Sequence, residues 1–244
     1  MSRINYSYTT NNGSRSVNED SVGCFSNENI HCFVVCDGLG GHGMGDIASK
    51  TVVDEFEKQF MTATDYSQLL PVAFESAQSA LLEEQSERNA KRKMKTTCVA
   101  LITDEKNAYI GHVGDSRLYV FYKNKVKFRT LDHSIPQMLV LSKEIKESEI
   151  RNHPERNYVL RVMGINWEEP MYEISQTEKL KKCQAFLLCT DGFWELILEE
   201  DMCRLLKESG SPEEWLNKMT EIVKQNGEGK NMDNYSAIAV WNTK

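Results

Sequence analysis

The sequence predicts an α+β fold in which two antiparallel β-sheets are flanked by α-helices. Strand signals arrive in runs rather than in strict alternation with helices, and helical patterns arrive in two pairs. The helical stretches carry apolar stripes that a sheet face would have to cover. The 244 residues hold no Pro/Ser-rich linker, so the expectation is one domain, 1–244, long enough to bury a sizeable core.

Residues 4–10 alternate weakly and read as a strand, as do 21–26. Phe33, Val34, Val35 and Cys36 then run straight into Asp37, a buried strand delivering one acid to a turn cleared by five glycines between Gly38 and Gly45. Helical spacing follows over 46–61, with Ile47, Thr51, Val52, Phe56 and Phe60 on one face. A longer helix is expected from 66 to about 92, with Leu69, Leu70, Ala73, Ala77, Ala80 and Leu81 as its stripe. Its basic end, 88–95, reads as a solvated C-terminus complementing the helix dipole or as a substrate-docking patch.

Strand signals then crowd together at 97–103, 107–113, 117–122 and 125–130. Turn-like residues separate them, giving an antiparallel meander. The stretch 132–156 is polar and irregular, with a short helix expected over 144–151. Strands at 171–177 and 185–190, helices at 199–207 and 212–225, and a last strand over 235–241 complete the reading.

The net charge of −7 argues against a general nucleic-acid binder. Seven cysteines without CxxC pairs sit mostly inside apolar runs, as reduced core thiols of a cytoplasmic protein would. No apolar signal core opens the chain and no run of about 18 apolar residues occurs, so a membrane protein is not expected.

Four aspartates share one setting. Asp37, Asp115 and Asp191 each close an apolar strand, and Asp233 stands just before one. Hard divalent cations such as Mn²⁺ and Mg²⁺ prefer carboxylate, carbonyl and water oxygens, and a pair of them can activate water for in-line attack on phosphorus. Such a site needs converging carboxylates, which otherwise repel one another. The loop before residue 21 adds Arg15, Glu19 and Asp20. It reads as a solvated turn, or as a phosphate-holding guanidinium beside two metal-facing acids.

Asn18-Glu19-Asp20, Val35-Cys36-Asp37-Gly38, Val113-Gly114-Asp115-Ser116-Arg117, Cys189-Thr190-Asp191-Gly192 and Asp233-Asn234 together resemble the metal-dependent type-2C (PPM) protein Ser/Thr phosphatases, in order and approximate spacing, from Arg15 to Val240. The compact bacterial branch is the most similar. The resemblance implies a four-layer sandwich, two antiparallel sheets between helical layers, with two Mn²⁺ or Mg²⁺ ions at one end. It implies hydrolysis of phosphoserine and phosphothreonine by a metal-activated water without a phospho-enzyme. Asp37 would bridge the ions, the Gly38 carbonyl would add a ligand, and Asp191 and Asp233 would complete the set. Glu19 and Asp20 would hold metal-bound waters, with Asn234 beside them, and Arg15 would clamp the phosphate. Asp115 would share a third, weaker ion with Asp191. The partners implied are phosphorylated proteins, including a Ser/Thr kinase or its substrates, met by a monomer.

The chain also departs from the family pattern. Leu39 stands where many eukaryotic members have a histidine proposed as general acid, and Lys95 stands where glycine is usual. His42 is close by, as a structural residue or an acid. Residues 129–161 resemble the region of a mobile flap, expected at about 132–163.

Two other readings compete. Gly38-Leu39-Gly40-Gly41-His42-Gly43 satisfies the dinucleotide-binding pattern, but Glu55 and Glu57 fall inside a helix rather than at a second strand end, and βαβ alternation is missing. A non-catalytic phosphoprotein-binding module would be marked by loss of a metal-binding carboxylate, and none is lost. A phosphatase acting on serine-phosphorylated partner-switching proteins would share every motif.

Overall fold

A computed structural model describes residues 3–39, 43–91, 93–175 and 177–243. Among the described residues, eleven strands form two antiparallel sheets. The first holds β1 (Arg3–Asn11), β11 (Tyr235–Thr243), β10 (Ala185–Cys189), β6 (Arg117–Tyr122) and β7 (Lys125–Arg129), in that order. The second runs β2 (Asp20–Asn27), β3 (Ile30–Asp37), β4 (Cys98–Thr103), β5 (Asn107–Val113) and the two-residue β8 (Glu173–Ile174). A second two-residue strand, β9 (Glu178–Lys179), also pairs with β5.

Strands β3, β4 and β10 read as unbroken apolar runs because both of their faces are covered. On β3, Phe33 and Val35 join Val99, Leu101, Ile110, Leu118, Val120, Phe186, Leu188, Ile238 and Val240 in the core between the sheets. The alternate residues Cys32, Val34 and Cys36 face α1 (Gly45–Thr62) and α2 (Leu69–Glu87), whose Phe56 and Phe74 meet edge to face at 5.1 Å. On the opposite side Leu187, Cys189, Ala237 and Ala239 pack against α5 (Glu199–Lys207) and α6 (Pro212–Gly227). A period of two along each strand thus builds the expected α/β/β/α stack.

The structure corrects four local expectations. Helix α2 stops at Glu87, because Asn89 takes a left-handed φ of 52° and turns the chain, which bridges Gly38 at Thr96. The irregular stretch after Asp132 contains a helix that the sequence reading missed, α3 (Ile135–Leu141), capped by the Ser134 hydroxyl and started by Pro136. The short helix expected over 144–151 is a 3₁₀ turn at Glu147–Asn152. The strand expected over 171–177 shrinks to the two residues of β8, Glu173–Ile174, and Gln176 lies outside the described residues.

Candidate metal centre

The two sheets bring their strand ends together at one edge of the sandwich. Asp20 opens β2 and Asp37 closes β3, and the register places them directly opposite each other. Asp37 is fixed through its backbone. Its N–H donates to Thr97 Oγ1 at 3.0 Å, and its carbonyl accepts from Thr97 N–H at 2.9 Å and Thr96 Oγ1 at 2.8 Å. Gly38 follows because nothing larger fits: a Cβ there would stand 2.2 Å from the Gly45 carbonyl oxygen and 2.4 Å from that of Glu19.

The other sheet supplies Asp191, which begins the single helical turn α4 (Asp191–Trp194) after β10, and Asp233, two residues before β11. Thr190 ties the sheets together. Its hydroxyl donates to Asp20 Oδ2 at 3.0 Å and accepts from Ser236 N–H at 3.0 Å. Asp115 sits in the turn from β5 to β6, and its carbonyl accepts from Trp194 Nε1 at 3.0 Å.

These acids are crowded. Burial, and then Asp191, Asp20, Asp115 and Asp233, push Asp37 well above the usual carboxylate range. Asp115 is raised by burial and by Asp191, and Asp191 by burial and by Asp233. Burial is also the main cause that lifts Asp20 to about 7. Asp20 Oδ1 and Asp115 Oδ1 are buried without any hydrogen-bond donor. Converging carboxylates with unpartnered oxygens form an all-oxygen donor set of the kind that hard divalent cations take, and the buried cation beside Asp115, Arg117, is already paired with Asp132. The residues present therefore fit Mn²⁺ or Mg²⁺.

Around this acid cluster the 12–19 loop is latched by Asn234. Its Oδ1 accepts from Glu19 N–H at 2.8 Å, while its Nδ2 donates to the carbonyls of Asn12 and Val17 at 2.9 and 3.0 Å. Glu19 reaches the start of α1, accepting from Gly45 N–H at 3.2 Å, and burial raises its pKa. Arg15 donates from Nε and Nη2 to the two oxygens of Asp233, each at 3.1 Å.

Arg15, Glu19, Asp37, Gly38, Asp115, Asp191, Asp233 and Asn234 all line one cavity of about 900 Å³. Of the residues singled out from sequence, Asp20 is set behind this wall and reaches the cluster from below. Leu39 lines the cavity, and His42 lies outside the described residues. Lys93 and Lys95 line it too, so the basic stretch read first as a helix end belongs to the cleft. Asn157, Val159 and Val162 close one side of it. They fall within the 132–163 stretch expected as a flap, but no sequence signal singled them out, since their position depends on the isolated bridges Ser134–Val159 and Thr96–Met163 that fold the segment back.

Comparison with known proteins agrees with this geometry. The family model described as "Protein phosphatase 2C" matches residues 9–234. The serine/threonine phosphatase stp of Listeria welshimeri is 31% identical over 237 residues, spanning 93% of this chain and 90% of that protein. The crystal structure of the serine/threonine phosphatase Stp1 from Staphylococcus aureus superposes with a TM-score of 0.90 at 30% identity, covering 99% of this chain and 96% of that one. The catalytic domain of the serine/threonine phosphatase PstP, determined in complex with two manganese ions, shares the fold with a TM-score of 0.82 at 22% identity, covering 99% of each chain. The chain belongs to the protein phosphatase 2C family, and its activity is that of a metal-dependent protein serine/threonine phosphatase.

Proposed function

We propose that phosphoserine and phosphothreonine side chains of proteins are hydrolysed in the cleft between Arg15, Asp37 and the flap. One observation carries this assignment of residues: four aspartates from separate strand ends and a forked guanidinium line a single cavity. Asp37, the Gly38 carbonyl, Asp191 and Asp233 would hold two Mn²⁺ or Mg²⁺ ions, with Glu19 and Asp20 orienting the waters around them. Bound there, such ions would lower the pKa of a water and offset the charge of the phosphoryl oxygens. Arg15 would grip two phosphoryl oxygens with the fork it now presents to Asp233. Asn234 keeps that fork and Glu19 in register by holding the loop between them.

Finer features belong to the same reading. Asp115 and Asp191 would share a third ion, which the buried, unpartnered Asp115 Oδ1 supports. The two manganese ions of PstP support at least the first two. The chain would act as one catalytic domain, 1–244, with a flap over about 132–163, as a cytoplasmic monomer opposing a Ser/Thr kinase. Among the described residues no helix is long and apolar enough to cross a membrane.

The test is hydrolysis of a phosphothreonine peptide with Mn²⁺, with Mg²⁺ and with EDTA, run beside Asp191→Asn. Turnover that requires metal and vanishes in the variant supports the assignment. Tight metal binding without turnover would instead describe a phosphoprotein-binding module.

A further inference from the structure

Behind the turn that carries Asp115 lies a second cluster of ligating side chains, with different chemistry. His112, next to the end of β5, lies directly opposite Glu173 of β8, and His133 stacks on His112 with ring centroids 4.6 Å apart. One ligating atom from each of His112, His133 and Glu173 lies within 4.8 Å of the others. His112 is 1% exposed, and its Nδ1 has no hydrogen-bond partner; the same holds for His133 Nε2. Two unpartnered imidazole nitrogens and a half-exposed carboxylate are thus set side by side.

We propose that His112, His133 and Glu173 bind a nitrogen-preferring divalent ion, Zn²⁺ by chemical class, at a site separate from the acid cleft. Two histidines and one carboxylate with a fourth position open to water make a common zinc donor set. The acid cleft offers oxygen alone and suits Mn²⁺ or Mg²⁺, so donor type would sort the ions between the two places. His112 is already arranged as a ligand. Its Nε2 lies 2.8 Å from the Leu131 carbonyl oxygen and so carries the proton, which leaves the Nδ1 lone pair free.

His133 couples the site to the phosphatase. Its Nδ1 accepts from Gly114 N–H at 3.1 Å, and its own backbone N–H donates to the Gly114 carbonyl at 2.9 Å, gripping the residue before Asp115 from both sides. With Nδ1 accepting, the neutral ring carries its proton on Nε2. Binding an ion through Nε2 displaces that proton, and the neutral ring then carries one on Nδ1, with no net change in the ring's charge. Nδ1–H and Gly114 N–H would then face each other as two donors, and the ring's half of the grip is lost while the backbone bond to the Gly114 carbonyl remains. Occupancy would therefore loosen the turn holding Asp115 and inhibit turnover. This consequence rests on the phosphatase reading, whereas the binding itself does not.

The experiment uses the full chain with Mn²⁺ in large excess and Co²⁺ as a spectroscopic substitute for Zn²⁺. Four-coordinate Co²⁺ with nitrogen ligands absorbs strongly in the visible, while octahedral oxygen-ligated Co²⁺ absorbs weakly. Wild type should develop the strong bands at one equivalent. Glu173→Gln, a change on an exposed two-residue strand, should weaken Co²⁺ binding at least about tenfold, on the scale of lost metal-site support. His112→Gln should do the same. Zn²⁺ should inhibit peptide dephosphorylation in a way that added Mn²⁺ does not relieve and that Glu173→Gln does. Absence of the bands, or equal bands in both variants, overturns the site. Bands sensitive to Glu173 without Zn²⁺ inhibition overturn the coupling through Gly114. An enzyme with no Mn²⁺-dependent turnover refutes the phosphatase reading and leaves the spectral result to decide the site.

Discussion

Arg15 holds Asp233 with both prongs of its guanidinium, Nε to Oδ1 and Nη2 to Oδ2, each at 3.1 Å. Both side chains are about half exposed, so solvent screening leaves the pair worth at most about 1 kcal/mol of stability. Its value is geometric, because the fork that fits a carboxylate also fits two phosphoryl oxygens.

Arg15→Ala should therefore leave the melting temperature nearly unchanged while lowering kcat/KM about tenfold to a hundredfold. This is the loss expected when charged hydrogen bonds of ~1.5–3 kcal/mol disappear. The effect should fall mainly on KM, and Arg15→Lys should recover only part of it, since an ammonium has no fork. Steady-state kinetics with a phosphothreonine peptide check this; an unchanged KM would remove Arg15 from phosphate binding.

The crowding of acids makes the metal-free protein sensitive to pH in an unusual direction. A carboxyl whose folded pKa lies above its unfolded value contributes stability at low pH and loses it as pH rises through the folded pKa. Asp20 moves from an ordinary 3.8 to about 7, and Asp37, Asp115 and Asp191 are raised as well. In chelator, their part of the stability should fall as pH climbs from about 4 to beyond 7. Asp20→Asn should flatten that fall, and Asp191→Asn should raise the melting temperature in chelator at pH 8. Added Mn²⁺ should stabilise wild type, by about 2.7 kcal/mol at a hundredfold excess over Kd, and Asp191→Asn much less. Thermal melts across pH, with and without Mn²⁺, give the answer; a more stable wild type at pH 8 than Asp191→Asn in chelator would contradict it.

How far the chain could be read in advance follows from what each element packs against. Strands β3, β4 and β10 were legible because both faces are buried, so their apolar runs carry no polar interruption until the acid at the end. Asp37 and Asp191 were marked by the glycine that follows each. At Gly192, as at Gly38, a Cβ would meet backbone, 2.1 Å from the Asn234 carbonyl oxygen. Helix α3 was not legible. It has seven residues, it buries only Pro136 and Gln137, and its exposed Met138 and Leu141 break any amphipathic pattern. The cavity role of Lys93 and Lys95 stayed hidden because good helix formers continue past Glu87, and only the left-handed Asn89 turns the chain. The pairing of His112 with His133 depends on a long-range stack that no local spacing encodes.

The segment that follows β7 starts on a buried ion pair. Arg117 donates from Nε and Nη2 to Asp132 at 2.8 and 2.6 Å, both side chains are 1% exposed, and the guanidinium lies 3.3 Å over the Trp194 ring. Removing Asp132 leaves the buried Arg117 with the Glu199 carboxylate, 3.8 Å away, as its remaining ion-pair partner, so the loss should approach that of a broken buried pair, about 3–5 kcal/mol. Asp132→Ala should lower the free energy of unfolding by that amount, moving the urea midpoint down without changing the slope. Replacing Arg117 and Asp132 together with apolar residues should be much milder than the two single losses added. Additive single and double variants in urea melts would show that the pair does not interact as its geometry implies.

Lys93 and Lys95 give the cleft a cationic edge opposite its acids. Both line the cavity, and the Lys95 carbonyl accepts from Leu39 N–H at 2.8 Å, which fixes the backbone that carries them beside Gly38. A phosphopeptide brings negative charge beyond the group being cleaved, so a basic edge should favour its approach, whereas a small aryl phosphate does not reach that far. The double change Lys93→Glu and Lys95→Glu should raise KM for an acidic phosphopeptide about tenfold at low ionic strength and leave kcat and aryl phosphate turnover near wild type. Exposed charges are screened over about 8 Å at physiological salt, so the wild-type advantage should shrink as salt rises and the two KM values should converge. Peptide kinetics over a salt series decide the matter. A KM gap that persists at high salt would point to a change in cleft shape, and no gap at low salt would return these lysines to the role of solvated surface.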